Sequence, residues 1–521
     1  MESNNFPSMP TTYVVAICFL SISVLVSYRI FLHPLSKYPG PLLAKISEVY
    51  AGYYAISMNL HIRTRLDHLK YGPVLRHGPN RLIFNSPKAL QDIYLNERLA
   101  KSYSYKYTAA TAGVYGVFNV IDKSAHRFKR KLVGKALSDR SMRIFEPAMS
   151  GQIDIFLRIL LSLSRESSSI NMTHVIKRLT FDIVALLAFG RPLETQTKST
   201  YRSLIEAQTA GNHRSNIFLQ YPFIYHTKIF TLLEWFTSDK VAAYYHAIET
   251  MIASRVSEDK HARHDLYALI ADEMNPNGEC LKDSEIWAEA AFFFPAGADT
   301  VSALLCAAFF YLSRNTGAYT RLSKEIRSTF TTGTEIKIGP ALAGCEYLRA
   351  TLDETLRISP PASGTLWREL DVTDPSKEPF VVDGHVIPPG TQVGVNTYTL
   401  LHNEEYFPSP YEFRPERWFD SEMKQMQDAF QPFSTGTRSC AGKSMAYTEA
   451  SLVLAKVVWH FDFEPAPGRL GKLGGGSQSL GEGRQRENEF QLYDVASATH
   501  DGPNLVFHLR DGATDDFMDE E

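Results

Sequence analysis

The sequence is poor in cysteine, and none of it is paired. Five cysteines (Cys18, Cys280, Cys306, Cys345, Cys440) are spread over 521 residues. No C-x-x-C and no zinc-ligand spacing joins any two of them, which excludes a disulfide framework and a structural zinc site and suits a reducing compartment. An excess of charge of either sign is lacking too. The formal net charge is −3 and no strongly basic domain exists, so the chain is no nucleic-acid binder. No G-x-G-x-x-G follows a strand, which leaves the sequence without a flavin or nicotinamide fingerprint. No internal repeat is present.

Long uncharged runs are rare, with one clear instance at the start. Thr11 to Tyr28 is eighteen residues without a charge, about the minimum for a membrane-spanning helix. A cleaved signal peptide needs positive charge before its apolar run. Here Glu2 precedes the run, and Arg29 and Lys37 follow it. That bias puts the N-terminus in the lumen and the remaining chain in the cytosol. An anchor is therefore favoured over a signal peptide or a buried core helix. Pro34, Pro39 and Pro41 in HPLSKYPGP make a stiff, non-helical link behind it. The reading divides the chain into a lumenal N-terminus (1–10), a transmembrane helix (11–28), a proline-rich hinge (29–45), a catalytic domain (46–510) and an acidic tail (511–521).

Within the domain, LRHGPNRLIFN from Leu75 to Asn85 reads as a hairpin, and FVVDGHVIPPGTQVGVN at 380–396 as strands and turns. Helical patterns dominate from Lys88 to Asn315. The longest runs from about Ser284 to Asn315 behind Asp283 and is apolar almost all round, so it must cross the core. The stretch Gly471 to Arg486 reads as an exposed loop. The fold class is mainly α with a minor β portion.

Chemistry gathers at PFSTGTRSCAGKSMA, Pro432 to Ala446. Cys440 stands just before a helix with one apolar face, where backbone N–H groups and a helix N-terminus favour the thiolate, the ligating form. Gly436 and Gly442 allow backbone to approach something flat, and Arg438 offers a fork for a carboxylate. The pattern Phe433-x-x-Gly436-x-Arg438-x-Cys440-x-Gly442 resembles the cysteine loop of the haem-thiolate monooxygenases, the cytochrome P450 superfamily. Three further motifs agree with it. Glu354-x-x-Arg357 with Arg417 in FRPERW resembles the family's buried Glu–Arg–Arg network, a structural element. Ala296-Gly297-Ala298-Asp299-Thr300 resembles the element that crosses the oxygen-binding face, which would make Asp299 and Thr300 proton carriers and Gly297 a place for oxygen to approach. His126 and Arg130 in AHRFKRK, and Arg368 in TLWREL, match positions that hold haem propionates.

The resemblance implies haem b (iron protoporphyrin IX) with Cys440 as its axial thiolate, and electrons from a separate NADPH–cytochrome P450 reductase, with cytochrome b5 as a further donor. It also implies an endoplasmic reticulum membrane location and a small hydrophobic substrate. Arg127, Lys129, Lys131 and Lys443 become candidates for docking the reductase. Substrate contacts would come from Ser102–Asp122, Ser203–Trp235, Phe292–Thr300 and Ser363–Leu366. The hinge, His126 and FQLYD have the style of fungal microsomal members of secondary metabolism. Val301 departs from the usual second hydroxyl residue, and Pro295 removes a donor where it should kink or widen the helix. Two other functions would keep Cys440. A haem-thiolate isomerase or dehydratase needs no proton relay, and Asp299 and Thr300 argue against it; a haem sensor or carrier needs no turnover.

Overall fold

The computed structural model describes residues 11–109, 113–166, 168–227, 238–259, 262–263, 265–270, 283–376, 378–420 and 424–512. Helices carry the architecture: α1 (Thr11–Ser27), α2 (Val49–Ile56), α3 (Lys123–Ala136), α4 (Asp139–Arg165), α5 (Met172–Phe189), α6 (Arg202–Gln220), α7 (Ser238–Val256), α8 (Asp283–Phe293), α9 (Thr300–Arg314), α10 (Glu346–Ile358) and α11 (Lys443–His460). Their ends follow from sequence. The Asn171 side chain caps α5 by accepting from Thr173 N at 3.0 Å, and Gly190 ends it at φ +67°, a conformation that costs glycine nothing.

The strands are β1 (Val74–Gly78), β2 (Arg81–Phe84), β3 (Leu99–Lys101), β4 (Ile170–Asn171), β5 (Arg368–Leu370), β6 (Phe380–Val382), β7 (His385–Ile387), β8 (Gln392–Val395), β9 (Phe461–Pro465) and β10 (Asn504–Leu509). The larger sheet has the order β1-β2-β8-β5-β3, a smaller one β4-β10-β9, and β6 and β7 pair alone. The β1–β2 hairpin and the strands of 380–396 lie where the sequence predicts them. The chain is mainly α with a minor β portion.

Among the described residues two helical runs are long and apolar enough to cross a bilayer, and they meet opposite fates. Thr11–Leu32 is exposed, whereas 72% of the apolar stretch within Ser284–Arg314 is buried. The second is the predicted core helix, made of α8, α9 and a π-helical segment, Phe294–Asp299, between them. Pro295 lies within that segment. Its ring has no N–H to give the preceding turn, and the backbone widens there as predicted. Ser497 Oγ donates to Pro295 O at 3.1 Å.

The hinge is docked onto the domain. Leu35 and Tyr38 are buried with the sheet residues Leu82, Phe84 and Val393. Arg76 N donates to Pro39 O at 2.7 Å and Arg76 Nη1 to Arg29 O at 2.7 Å.

The glycine-rich stretch 471–486 differs in part from expectation. It is exposed at its tip, Gln478 to Glu482, as expected, but its base is packed, with Gly474, Gly476 and Arg484 buried. A Cβ on Gly475 would lie 2.4 Å from Glu487 O, and one on Gly476 2.4 Å from Arg484 O. The glycines serve close backbone approach there, not mobility.

Candidate active site

The loop before α11 is tightly defined. Cys440 N donates to Phe433 O at 2.9 Å and Ser439 N to Gly436 O at 3.1 Å. Gly436 has φ +78°, and a Cβ on it would sit 2.0 Å from Tyr94 O, so no other residue fits. The Cys440 side chain keeps accessible surface, while crowding around it pushes the thiol above its ordinary range. The Gly442 amide, Arg130 and Lys443 pull the other way.

Arg130 lies on this loop rather than apart from it. Its Nη1 donates to Ser439 O and its Nη2 to Cys440 O at 3.3 Å. Arg438 donates from both terminal nitrogens, to Val120 O at 2.5 Å and to Ile121 O at 2.7 Å. Arg368 reaches Trp367 O at 3.1 Å and packs over the Tyr94 ring. His126 is buried, and its imidazole is pushed down to about 3 by that burial and by Arg438, Lys101, Arg130 and Arg368. Lys101, which the sequence reading missed, is also buried. Burial, Arg368 and Arg438 drive its ammonium well below the ordinary range.

These bases repel one another, and the acid that acts on Arg438 is Asp122, whose carboxylate is already occupied capping α3 at Ala125 N, 2.7 Å. Burying like charges without partners is costly. Such a patch fits a dianionic group such as the two propionates of a haem.

The Glu354 network has the opposite character. Arg357 clasps Glu354 through two contacts of 2.9 Å, and Arg417 Nε adds one of 3.0 Å. Arg414 N and Trp418 Nε1 complete the carboxylate's shell at 3.0 and 3.2 Å. The remaining guanidinium donors reach the carbonyls of Leu401, Pro408, Pro410 and Glu412. From the same helix, Asp353 Oδ1 accepts from Tyr447 OH at 2.5 Å, and the Tyr447 ring packs against Phe433. That contact ties α10 to the cysteine loop. It was not legible in the E-x-x-R pattern.

On the core helix, Thr300 Oγ1 donates to Ala296 O at 2.7 Å inside the widened turn. Asp299 is buried and points elsewhere, taking Gln208 Nε2 at 2.9 Å and Asn212 Nδ2 at 2.8 Å on its Oδ2. Neighbouring helix residues do not face each other, and Asp299 and Thr300 share no hydrogen bond. Burial pushes the Asp299 carboxyl up, opposed first by Lys177. Gly297 faces α5, where Val184 Cγ2 would lie 2.8 Å from a Cβ. Helix packing therefore demands glycine at this point.

The candidate docking residues divide. Arg127, Lys131 and Lys443 are exposed. Lys129 is buried against Glu289 of α8 at 3.2 Å, so it is withdrawn from any docking face. Glu289 also accepts from Val117 N at 2.9 Å, which holds the 113–122 segment on the core helix.

Two of the predicted substrate segments meet directly: Phe118 stacks on Phe292 with centroids 4.8 Å apart. The part of Ser203–Trp235 beyond residue 227 lies outside the described residues. Sequence reasoning missed the turn from Tyr493 to Thr499. Ala498 N of that turn donates to Pro361 O at 2.8 Å, and Ser497 reaches Pro295. Nothing in its composition signals the site. It missed Glu449 too, buried on α11 with no hydrogen-bond partner for either carboxyl oxygen.

What the fold and site define is a class: mainly helical enzymes in which a loop cysteine heads one core helix and a buried patch of bases waits beside it. Comparison then supplies the family. The chain belongs to the cytochrome P450 family, whose profile matches residues 37–473. It is 33% identical over 512 residues to cytochrome P450 monooxygenase AKT7 of Alternaria alternata, covering 95% of this chain and 97% of that relative. To cytochrome P450 monooxygenase apf7 of Gibberella fujikuroi it is 32% identical over 537 residues, covering 97% and 99%. To poxM of Penicillium oxalicum it is 34% identical over 467 residues, covering 87% and 89%. It is an oxidoreductase of the monooxygenase class, akin to fungal secondary-metabolism members.

Proposed function

We propose that the chain is a single-pass, membrane-anchored haem-thiolate monooxygenase that oxidises a small apolar substrate, with its catalytic domain (46–510) on the cytosolic side of the endoplasmic reticulum. One observation carries this reading: Cys440 stands on a rigid loop beside a set of bases, buried Lys101, His126 and Arg368 with half-buried Arg438, whose acidic neighbour Asp122 is taken up in capping α3. When bound, haem b supplies oxygen activation, with one atom of O2 entering the substrate and the other leaving as water.

The residues have separate tasks. Cys440 would hold the haem iron through its sulfur, and Phe433, Gly436 and Gly442 shape its loop. Arg130 fixes the loop carbonyls and adds positive charge beside the sulfur. Arg368, Arg438, neutral His126 and Lys101 hold the propionates. Thr300, on the widened turn, and Asp299, held from α6, would handle protons for the oxygen chemistry. Electrons come from an NADPH-dependent reductase, with cytochrome b5 as a second donor, docking on Arg127, Lys131 and Lys443.

Membrane attachment is supported by the exposed apolar helix Thr11–Leu32. Exposed Leu42, Leu43, Val49, Tyr53 and Ile56 follow it in the chain. The deciding experiment is the carbon-monoxide difference spectrum of the reduced protein beside Cys440→Ser. A strongly red-shifted Soret band lost in the mutant supports the reading. Its absence from folded, haem-supplied wild type would remove it.

A further inference from the structure

The face of α6 carries a buried amide at every fourth residue: Gln208, Asn212, Asn216 and Gln220. Amides at this spacing lie above one another on a helix, and each has a partner on another segment. Gln208 and Asn212 donate to Asp299 Oδ2. Asn216 Nδ2 donates to Asp494 Oδ1 at 3.2 Å, and Gln220 Oε1 accepts from Trp367 Nε1 at 2.9 Å.

The first two contacts have a chemical consequence. A carboxylate oxygen that already accepts two N–H groups is a poor place for a proton, so protonation falls to the other oxygen. Asp299 Oδ1 is buried and accepts no hydrogen bond. Near this carboxyl, α5 offers Lys177, whose Nζ donates to the hydroxyls of Thr209 and Thr499, at 3.5 and 3.4 Å. From α7 comes Tyr244, whose hydroxyl donates to Gln208 Oε1 at 3.3 Å. That bond fixes the Gln208 amide with its NH2 toward Asp299. At positions 208 and 212, α6 itself brings only neutral groups.

We infer that Gln208 and Asn212 are positioning residues for Asp299: they hold its Oδ2, leave Oδ1 as the oxygen open to a proton, and tie that choice to the seating of α6. This rests on the proposed proton role of Asp299. Anything that lifts α6, such as a substrate passing beneath it, strips two donors from the carboxylate and favours its neutral form.

The test is an infrared pH titration of the haem-loaded, full-length protein, with the carboxyl band assigned by its loss in Asp299→Asn. Gln208→Met and Asn212→Leu should each move the band's midpoint upward by about one pH unit, a tenfold change. Either variant suffices if the other does not fold. A midpoint unchanged in a folded variant overturns the inference. A separate readout isolates the underlying reading: hydrogen peroxide released per NADPH, with reductase and no added substrate, in wild type and Asp299→Asn. If the two match while the midpoint still shifts, the positioning stands and the proton role of Asp299 falls.

Discussion

Two of the buried charge clusters among the described residues are built on opposite rules. Around Glu354 one acid serves two guanidinium groups, and carbonyls, a backbone amide and an indole N–H complete the set. Around Arg438 the bases crowd together: Arg368 and Arg438 lower the proton affinity of Lys101 and His126, and Arg368 lowers that of Arg438. The first cluster is complete in itself and therefore architectural. The second is in balance only when something anionic joins it. Burial and charge alone do not separate structure from function; the presence or absence of internal partners does.

The largest effect should come from breaking the complete cluster. Glu354→Ala strands Arg357 and Arg417 in the interior, and losing one partner of a buried pair costs about 3–5 kcal/mol. Thermal melts should show a collapse in Tm or no folded protein at all. A stable Glu354→Ala protein would show that the two clusters do not differ in kind.

Next comes the incomplete cluster. Arg368→Met removes one repelling cation, so Tm should change little while transfer of haem to a scavenging haem-free globin speeds up by about tenfold, or about 1.4 kcal/mol. Equal haem retention would mean the bases are not there for its propionates.

Glu449 sharpens the contrast, being a buried acid with no hydrogen-bond partner among the described residues. Burial pushes its carboxyl up to about 8. A raised folded-state value means that the folded protein holds a proton the unfolded chain gives up. Stability then falls as pH rises from the ordinary carboxylate range toward 8, at up to about 1.4 kcal/mol per pH unit, and levels off above it. Denaturant midpoints at pH 5.5 and 7.5 should reveal this slope in wild type, and Glu449→Gln should lose that component. The smallest effect belongs to the solvated face. Lys131→Ala and Lys443→Ala should leave Tm unchanged and raise the reductase concentration needed for half-maximal reduction by about two- to fivefold at low salt. That difference should vanish at high salt.

Much of this was legible from local pattern. Pro295 predicts the widened turn, the glycine and cysteine spacing predicts the loop, and apolar continuity predicts the buried core helix. What escaped depends on partners distant in sequence. Lys129 looks like one more base on a charged helix until Glu289 is brought against it. The α6 amides are polar residues at a helical spacing, yet only Asp299, Asp494 and Trp367 give them a purpose. Composition misleads at 471–486, because glycine for flexibility and glycine for close packing look the same in one dimension. The side chains proposed to meet the haem were nameable only through family resemblance, since Arg130 and Arg438 end on carbonyls that no spacing rule identifies.

The docked hinge decides where the chain can be shortened. A cut after Ser27 removes only the exposed apolar helix and leaves Arg29 to cover Ile46 O and to offer its own carbonyl to Arg76. A cut after Pro41 would take Leu35 and Tyr38 out of the sheet's core and Pro39 O away from Arg76 N. A protein trimmed for solubility should therefore keep its proline segment, because those residues are the edge of the domain and not its leash.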